Sequence, residues 1–339
     1  MLLGVDYLIR RAVVFAAVVW LAVTLSFFIP RTPQLVSALS DLRWRLMAGE
    51  ASPALAEQAD REPGYYERVF HLDRPLHEQY LIYLSDLARL DLNYSMYYYP
   101  KTVREVIGEA LPWTVSLLGV STLLGFALGS LLGVLLAWPR TSAWIRWLTV
   151  PLLTFSAVPF YLLGLILAHI FSVMLGWLPI GGGHPLLVFP SLSWAFILGT
   201  LHHAILPTAA ITLSVLGFWA LSMRGMVVTV LGQDYMVLAE AKGLKDRTLM
   251  LHYAARNALL AQMTALALSV GNIVMGAVLV EMVFAYPGIG TLLQWALRVD
   301  DYPLMQGITL VLILAIALVT LVLDLTLPLL DRRIRYGRV

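Results

Sequence analysis

The sequence predicts an all-α membrane protein that crosses the bilayer several times. Three observations carry that expectation. Hydrophobic residues make up 60% of the 339, charged residues only 13%, and the mean hydropathy is +0.79. A soluble domain carries roughly 25% charged and 45–50% apolar residues, so this chain has too little polar surface to face water on all sides. Six stretches approach or exceed the roughly 20 apolar residues a helix needs to cross a bilayer. The basic residues between them collect on one side.

The six stretches fall at about 10–30, 111–138, 147–175, 200–224, 262–285 and 304–330. The first reads as an anchor rather than a cleavable signal, because Pro30 and Arg31 follow it with no small-residue cleavage pattern. The second contains Gly125, Gly129 and Gly133, which share one helical face and admit a neighbouring backbone. Packing inside one subunit is the favoured use of that face, ahead of self-association. The third contains Pro151 and Pro159, which predict a kink or a late start.

Orientation follows from the positive-inside rule. Arg10, Arg11, Arg140, Arg146, Arg224, Lys242, Lys245, Arg247, Arg256, Arg332, Arg333, Arg335 and Arg338 all lie on one side, against few acids. That side is cytoplasmic, and both termini lie there. The chain then divides into a tail and first span (1–30), an extracytoplasmic subdomain (31–108), and a five-helix transmembrane core (109–339) carrying a cytoplasmic loop (226–261). Within the subdomain, Tyr80, Leu81, Leu84, Leu87 and Ala88 fall at helical spacing and predict one apolar face. The stretch "GWLPIGGGHP" has the glycine and proline content of a structured external turn.

Catalytic constellations are absent from the sequence. It contains no phosphate-binding G-x-x-x-x-G-K-[ST] and no H-E-x-x-H. With no cysteine there is neither a disulfide framework nor a thiolate ligand. His202 and His203 are neighbours, so on a helix they point about 100° apart and do not readily share one ion. His169 stands alone in an apolar stretch and reads as a packing residue. The small net charge of +2 gives no reason to expect nucleic acid as a partner. Ionisable groups inside apolar spans are costly and tend to face protein or water. Glu281, next to "YPGIG" with its Pro287 and Gly288, is therefore read as a structural tie to that turn ahead of direct solute contact. Asp324 and Arg224, near span ends, are read as interfacial groups, with the pathway as the sharper alternative.

One charged, helix-prone segment lies between the fourth and fifth spans. Val237, Leu238, Ala241 and Leu244 recur at helical spacing, as do Leu249, Met250, Tyr253 and Ala254. These predict two short amphipathic helices, with Gly243 ending the first. Ala239, Ala241 and Gly243 form a knob of small residues suited to close approach by another protein.

The stretch "DYMVLAEAKGLKDRTLMLHYAARNALL" resembles the cytoplasmic EAA loop of permease subunits in bacterial ABC importers, in the form found in the dipeptide/oligopeptide/nickel group. The likeness extends over nearly the whole chain, through "LDRPLHEQYLIYLSDLARLDLNYSM", "TVREVIGEALPWTVSLLGVSTLLGFALGSLLGVLLAW", "VEMVFAYPGIGTLLQWAL" and the "LDRRIR" tail. It implies a type I importer permease fold in a bacterial inner membrane. It also implies pairing with a second, homologous permease, two cytoplasmic ATPase subunits that bind the ATP and magnesium, and an extracytoplasmic solute-binding protein. This chain would then hold no cofactor and contact only lipids and these partners. Carried over by position, the residues that couple to the ATPase are Asp234, Ala239, Glu240, Ala241, Gly243 and Leu244. Two departures stand out. Ala261 occupies a position where the family usually has proline, which bears on the turn into the fifth span. After the first span, "IPRTPQ" replaces the usual G-D-P-like turn. Oligopeptides are the expected solute, with oligosaccharides next and opines or nickel behind. An ion-coupled secondary transporter is the more distant alternative, but the spans hold few ionisable groups and no evident repeat.

Overall fold

A computed structural model describes residues 5–28, 74–185, 188, 191 and 193–330. Within some helices the side chains at further positions are outside that description, including 267, 268, 270–277, 323, 324 and 326–330. The first part of the expected external subdomain (31–73) and the basic tail from Arg332 fall outside it too. The described residues form helices and loops without a strand, apart from one antiparallel bridge between Tyr94 and Thr102.

In chain order the helices are α1 (Val5–Phe28), α2 (Leu76–Ala88), α3 (Val103–Ala137), α4 (Ala143–Trp147), α5 (Thr149–Ala157) and α6 (Phe160–Ala168). Then follow α7 (Trp194–Leu231), α8 (Asp234–Ala241), α9 (Asp246–Thr248), α10 (Arg256–Val283), α11 (Ile289–Arg298) and α12 (Tyr302–Leu330). Wider π-helical turns, His169–Met174 and Leu249–Ala255, extend α6 and join α9 to α10.

Four helical stretches are long and apolar enough to cross a membrane: Ile9–Phe28, Val103–Ala137, Trp194–Leu231 and Tyr302–Val322. They coincide with the first, second, fourth and sixth expected spans. The expected fifth, 262–285, falls in α10, whose central side chains lie outside the described residues. The third is two helices with a sharp bend between them, in line with the kink its prolines predict. Ala143–Ala157 and Phe160–Met174 meet at 103°. The break is at Val158 and Pro159: a residue before proline is pushed out of the helical region, and Val158 is extended at φ −88°, ψ 124°. Pro151 sits in the first turn of α5, where its missing N–H breaks no helical bond.

The chain divides into two compact parts, each with its own packing. One part comprises the segments up to Pro112 together with 291–321. Here α2 lies on α1: the Tyr80 hydroxyl is 2.7 Å from the Thr24 hydroxyl, and the Tyr80 and Tyr83 rings pack on Phe27. The predicted apolar face of α2 shifts accordingly. Tyr80, Leu84 and Leu87 are partly covered, whereas Leu81 and Ala88 point outward and Tyr83 joins the packed face. Gln306 on α12 donates to the Ser26 carbonyl at 3.3 Å.

Asp301 holds the start of α12. Its Oδ1 accepts the Leu304 N–H at 3.1 Å, an N-cap bond that satisfies one of the helix's free amide donors. Its Oδ2 accepts the Ser95 hydroxyl at 2.5 Å and the Tyr97 N–H at 3.0 Å. One carboxylate with no solvent exposure thus fixes both a helix start and the tyrosine-rich loop before α3. Burial lifts this carboxyl above the usual aspartate range, against the donors that pull it down.

The other part comprises 113–290 together with the segment from Val322 on, and α7 is its longest helix. Gly125, Gly129 and Gly133 of α3 lie against it. A Cβ on Gly125 would come within 2.5 Å of Val215, and one on Gly129 within 2.5 Å of Trp219. A Cβ on Gly133 would overlap the Ala220 carbonyl oxygen and the Met223 side chain. The glycine face is therefore consumed inside the subunit. On another side of α7, Gly217 admits α5, since a Cβ there would meet Ser156 and the Leu152 carbonyl. At 38 residues α7 is about 57 Å long, well over the ~30 Å hydrocarbon core, so it reaches past the membrane at one end or both.

Two outcomes follow for the purified chain in detergent. Gly133→Ala lowers the melting temperature, because the new methyl meets backbone. Gly119→Ala, with nothing within 4 Å of the added carbon, leaves it unchanged or raises it slightly. Asp301→Ala costs about 2–4 kcal/mol, the sum of a lost cap and of stranded donors at Ser95 and Tyr97. Asp301→Asn keeps an acceptor for the cap and costs less, which a thermal unfolding series would show.

Candidate functional site

The segment after α7 builds a hairpin. Gly232 ends α7, and Gln233 reverses the chain so that α8 starts at Asp234. α8 stops at a defined glycine turn. The Gly243 N–H bonds to the Glu240 carbonyl at 2.9 Å, and the Leu244 N–H reaches the Ala239 carbonyl at 3.5 Å. This paired pattern is the Schellman end, which needs a residue in the left-handed region; Gly243 has φ +70°. Space around it is open, with nothing within 4 Å of where a Cβ would stand. Gly243 therefore acts as a bend, and among the described residues nothing crowds the place of its missing side chain.

The inner face of α8 is formed by Met236 and Ala239. Both are buried, in a core with Val134 and Trp138 at the end of α3 and Met223 and Val227 of α7. Leu249, Ala254 and Ala258 complete that core, with Leu244, Met250 and Tyr253 packed against it. Val237 and Leu238, two of the residues at helical spacing, are 64% and 56% exposed. Ala241 is exposed beside them. Of the expected small-residue knob, Ala239 faces inward at 3% exposure; Ala241 and Gly243 remain outside. The reason is geometric. α8 has eight residues, and the side that meets α3 and α7 is set by the turns at Gly232 and Gly243, not by the commoner apolar stripe. What is left outward is an apolar ridge of Val237, Leu238 and Ala241 with Glu240 and Asp234 also exposed.

Charged groups brace the hairpin from outside. The Arg140 guanidinium bonds to Asp246 Oδ1 through one amino group and to Glu240 Oε1 at 3.1 Å through the other. Trp138 Nε1 donates to Asp246 Oδ2 at 3.0 Å. Asp246 pushes the Arg140 guanidinium up, so its charge is constant at any pH the protein meets. A groove of about 130 Å³ opens beside this cluster, between Trp138, Arg140, Leu231 and Val237. Arg140, Trp138 and Asp246 were not singled out as site residues in the sequence. Arg140 and Asp246 lie 106 residues apart, and no local pattern joins them.

At Ala261 the helix runs on without a turn. α10 continues from Arg256 to Val283, and Ala261 is exposed on it. The departure from α-helical geometry comes earlier, in the π-helical stretch Leu249–Ala255. The next residue, Gln262, is fully buried; it accepts from the Ser222 hydroxyl at 2.9 Å and donates to the Trp219 carbonyl at 3.0 Å. That pair of bonds ties α10 to α7.

A second cluster forms around Glu281. Its Oε2 accepts the Gly290 N–H at 2.6 Å, and its carboxylate lies directly on Gly288, where no Cβ would fit. The Thr114 hydroxyl bonds to Glu281 and accepts the Ile289 N–H at 2.8 Å. From the other side the Gly182 N–H donates to the Phe284 carbonyl at 2.8 Å, and Pro287 and Trp113 both close on Gly183. Glu281, Pro287 and Gly288 thus belong to one clasped turn. Arg224 is exposed on α7 and pairs with no acid among the described residues. Asp324 lies in α12 at a position whose side chain is outside the described residues. No group of His, Asp or Glu suited to a metal ion occurs among the described residues.

Residues 129–336 match the family model described as binding-protein-dependent transport system inner membrane component. The chain is 32% identical over 314 residues to a di/tripeptide transport system permease of Pseudomonas aeruginosa, covering 87% of this chain and 92% of that protein. It is 31% identical over 274 residues to an oligopeptide transport system permease of Haemophilus influenzae, covering 80% and 84% respectively. It is 32% identical over 280 residues to one of Bacillus subtilis, covering 82% and 86%. Among solved structures, an inward-facing MetNI methionine ABC transporter aligns with a TM-score of 0.53 at 16% identity, over 67% of this chain and 97% of that one. That likeness is one of fold, the type I importer permease fold. Sequence, helices and fold agree: this chain belongs to the binding-protein-dependent transport system inner membrane components, the permease subunits of ABC importers.

Proposed function

We propose that the chain is one of two membrane-spanning halves of an ATP-driven importer for peptides, and that α8 couples it to a cytoplasmic ATPase. The observation that carries this reading is the outward ridge on α8: Val237, Leu238 and Ala241 are exposed on a helix whose opposite face is packed on the ends of α3 and α7. An apolar ridge held that firmly, beside Glu240, is suited to a groove on a partner and transmits a push without yielding. In this reading α10 is the remaining span of six, both termini lie in the cytoplasm, and the membrane is the bacterial inner membrane. The two ATPases bind ATP and magnesium, a homologous permease completes the pore, and an external binding protein delivers the solute. ATP-driven closure then shifts the pore between inward- and outward-facing states through contacts that differ between them.

Peptide is the favoured solute because the relatives are named as di/tripeptide and oligopeptide permeases. Oligosaccharide remains the second reading; Tyr94 and Tyr97 stand exposed on a loop pinned by Asp301, in the manner of a stacking surface. Reconstituting the complex and comparing ATPase activity with peptide-loaded and sugar-loaded binding protein separates the two. No stimulation by either would count against the importer reading itself.

Two variants probe the coupling role. Val237→Asp with Leu238→Asp leaves the fold of the chain intact, since both side chains already face outward, but abolishes co-purification with the ATPase. Gly243→Val forces a β-branched residue into the left-handed region at a cost of about 1–2 kcal/mol, re-aiming α8. The variant inserts in the membrane but loses solute-stimulated ATPase activity, whereas Gly243→Asn retains most of it. Full stimulation in Gly243→Val would sink the coupling role of this turn.

A further inference from the structure

α7 and α10 reach the hairpin through the chain itself. α3 meets it only in space, through the core around Val134 and Trp138, and the geometry points to a second, polar device there. We infer that Arg140 is a positioning residue that makes α3 a third working arm of the coupling element, by fixing α8 and α9 to each other and to the end of α3. The inference rests on the reading of α8 as the coupling helix.

The two acids that Arg140 holds lie on opposite sides of the Gly243 bend. Glu240 is in the last turn of α8 and Asp246 opens α9. A guanidinium is a planar fork, so two bonds from one group set an angle as well as a distance. Here one amino group takes Glu240 and the other Asp246, closing the bend from outside. Asp246 uses its second oxygen for the Trp138 indole N–H at 3.0 Å. Trp138 is itself 6% exposed, in the core with Met236, Ala239 and Leu249. Its ring is therefore anchored while its nitrogen reports to the hairpin surface.

The loop bearing Arg140 is also held. Arg146 of α4 donates to the Pro139 carbonyl at 2.7 Å and reaches the Thr141 carbonyl at 3.4 Å. The Trp138 N–H bonds to Val134 at 3.1 Å and the Thr141 N–H to Trp138 at 3.1 Å, so the chain leaving α3 is continuous with its last turn. α3, α4, α8 and α9 thus meet at one point. The side chains in these ion pairs are 43–67% exposed, and pairs of that kind add little to stability. Their removal leaves the fold standing and exposes the geometric role. When α8 is displaced, the fork makes the end of α3 follow it. Without the fork the shared core of Val134, Trp138, Met236 and Ala239 still links α3 to α8, but the angle at the Gly243 bend is no longer fixed and the coupling to α3 loosens.

The test has two arms. In the reconstituted complex with peptide-loaded binding protein, Arg140→Ala lowers the ratio of stimulated to basal ATPase activity about 3- to 10-fold. Arg140→Lys keeps the charge and loses the fork, and it behaves like Arg140→Ala. Lysine restoring the wild-type ratio overturns the inference, because charge alone would then suffice. The second arm uses the purified chain without partners. The sequence has no cysteine, so spin labels on Ser142→Cys and Lys242→Cys report one distance. That distance distribution is narrow with Arg140 and broad with Arg140→Ala. An unchanged distribution overturns the inference, whatever the ATPase ratio. Wild-type complex that shows no stimulation at all instead refutes the importer reading and leaves the spin-label arm to decide the clamp.

Discussion

The close approach of α3 to α7 at Gly125, Gly129 and Gly133 is the contact on which most of the described core depends. In lipid, helices gain little from hiding apolar surface, because the solvent is as apolar as they are. Association must come from tight backbone packing, and glycine removes the side chain that would hold the axes apart. With three such positions in register, the end of α3 arrives beside the end of α7. Val134 and Trp138 then stand where Met236 and Ala239 can be buried, and α8 has a floor to rest on.

That floor explains how so short a helix is held in one pose. Eight residues form a marginal helix by themselves. α8 is defined by the turn at Gly232, the Schellman end at Gly243, a buried inner face and the ionic brace from Arg140. A helix fixed on all these sides can present an apolar ridge outward without collapsing onto its own subunit. The Glu281 turn follows the same logic at another place. Gly288 and Gly290 let two backbones close around one carboxylate, and Thr114 supplies the remaining bond. In both places glycine brings backbone close and a single polar side chain locks the result.

Much of this was legible in the sequence, and the reasons can be named. Pro159 announced the break in the third apolar stretch, because proline's effect on its neighbour is local; the 103° angle is set by packing on α7 and was not. Gly243 announced the end of α8 for the same local reason. Which face of α8 is covered was not legible. Val237 and Leu238 satisfy helical periodicity as well as Met236 and Ala239 do, and periodicity cannot tell a buried stripe from a docking stripe. Leu81 on α2 was misread for that reason. Arg140 drew notice only as one more cytoplasmic charge, since its partners are about a hundred residues away.

By itself the sequence determined the class of protein, the positions of most apolar spans, the glycine face of α3 and the family. Each of these is written in composition, run length or contiguous motif, which need no knowledge of what folds against what. Only the tertiary structure decided which side of α8 is covered, that α10 continues as helix through Ala261, and that Arg140 and Trp138 tie the end of α3 to the hairpin. Those outcomes depend on contacts between residues far apart in the chain, and their energy exists only once α3 and α7 have come together.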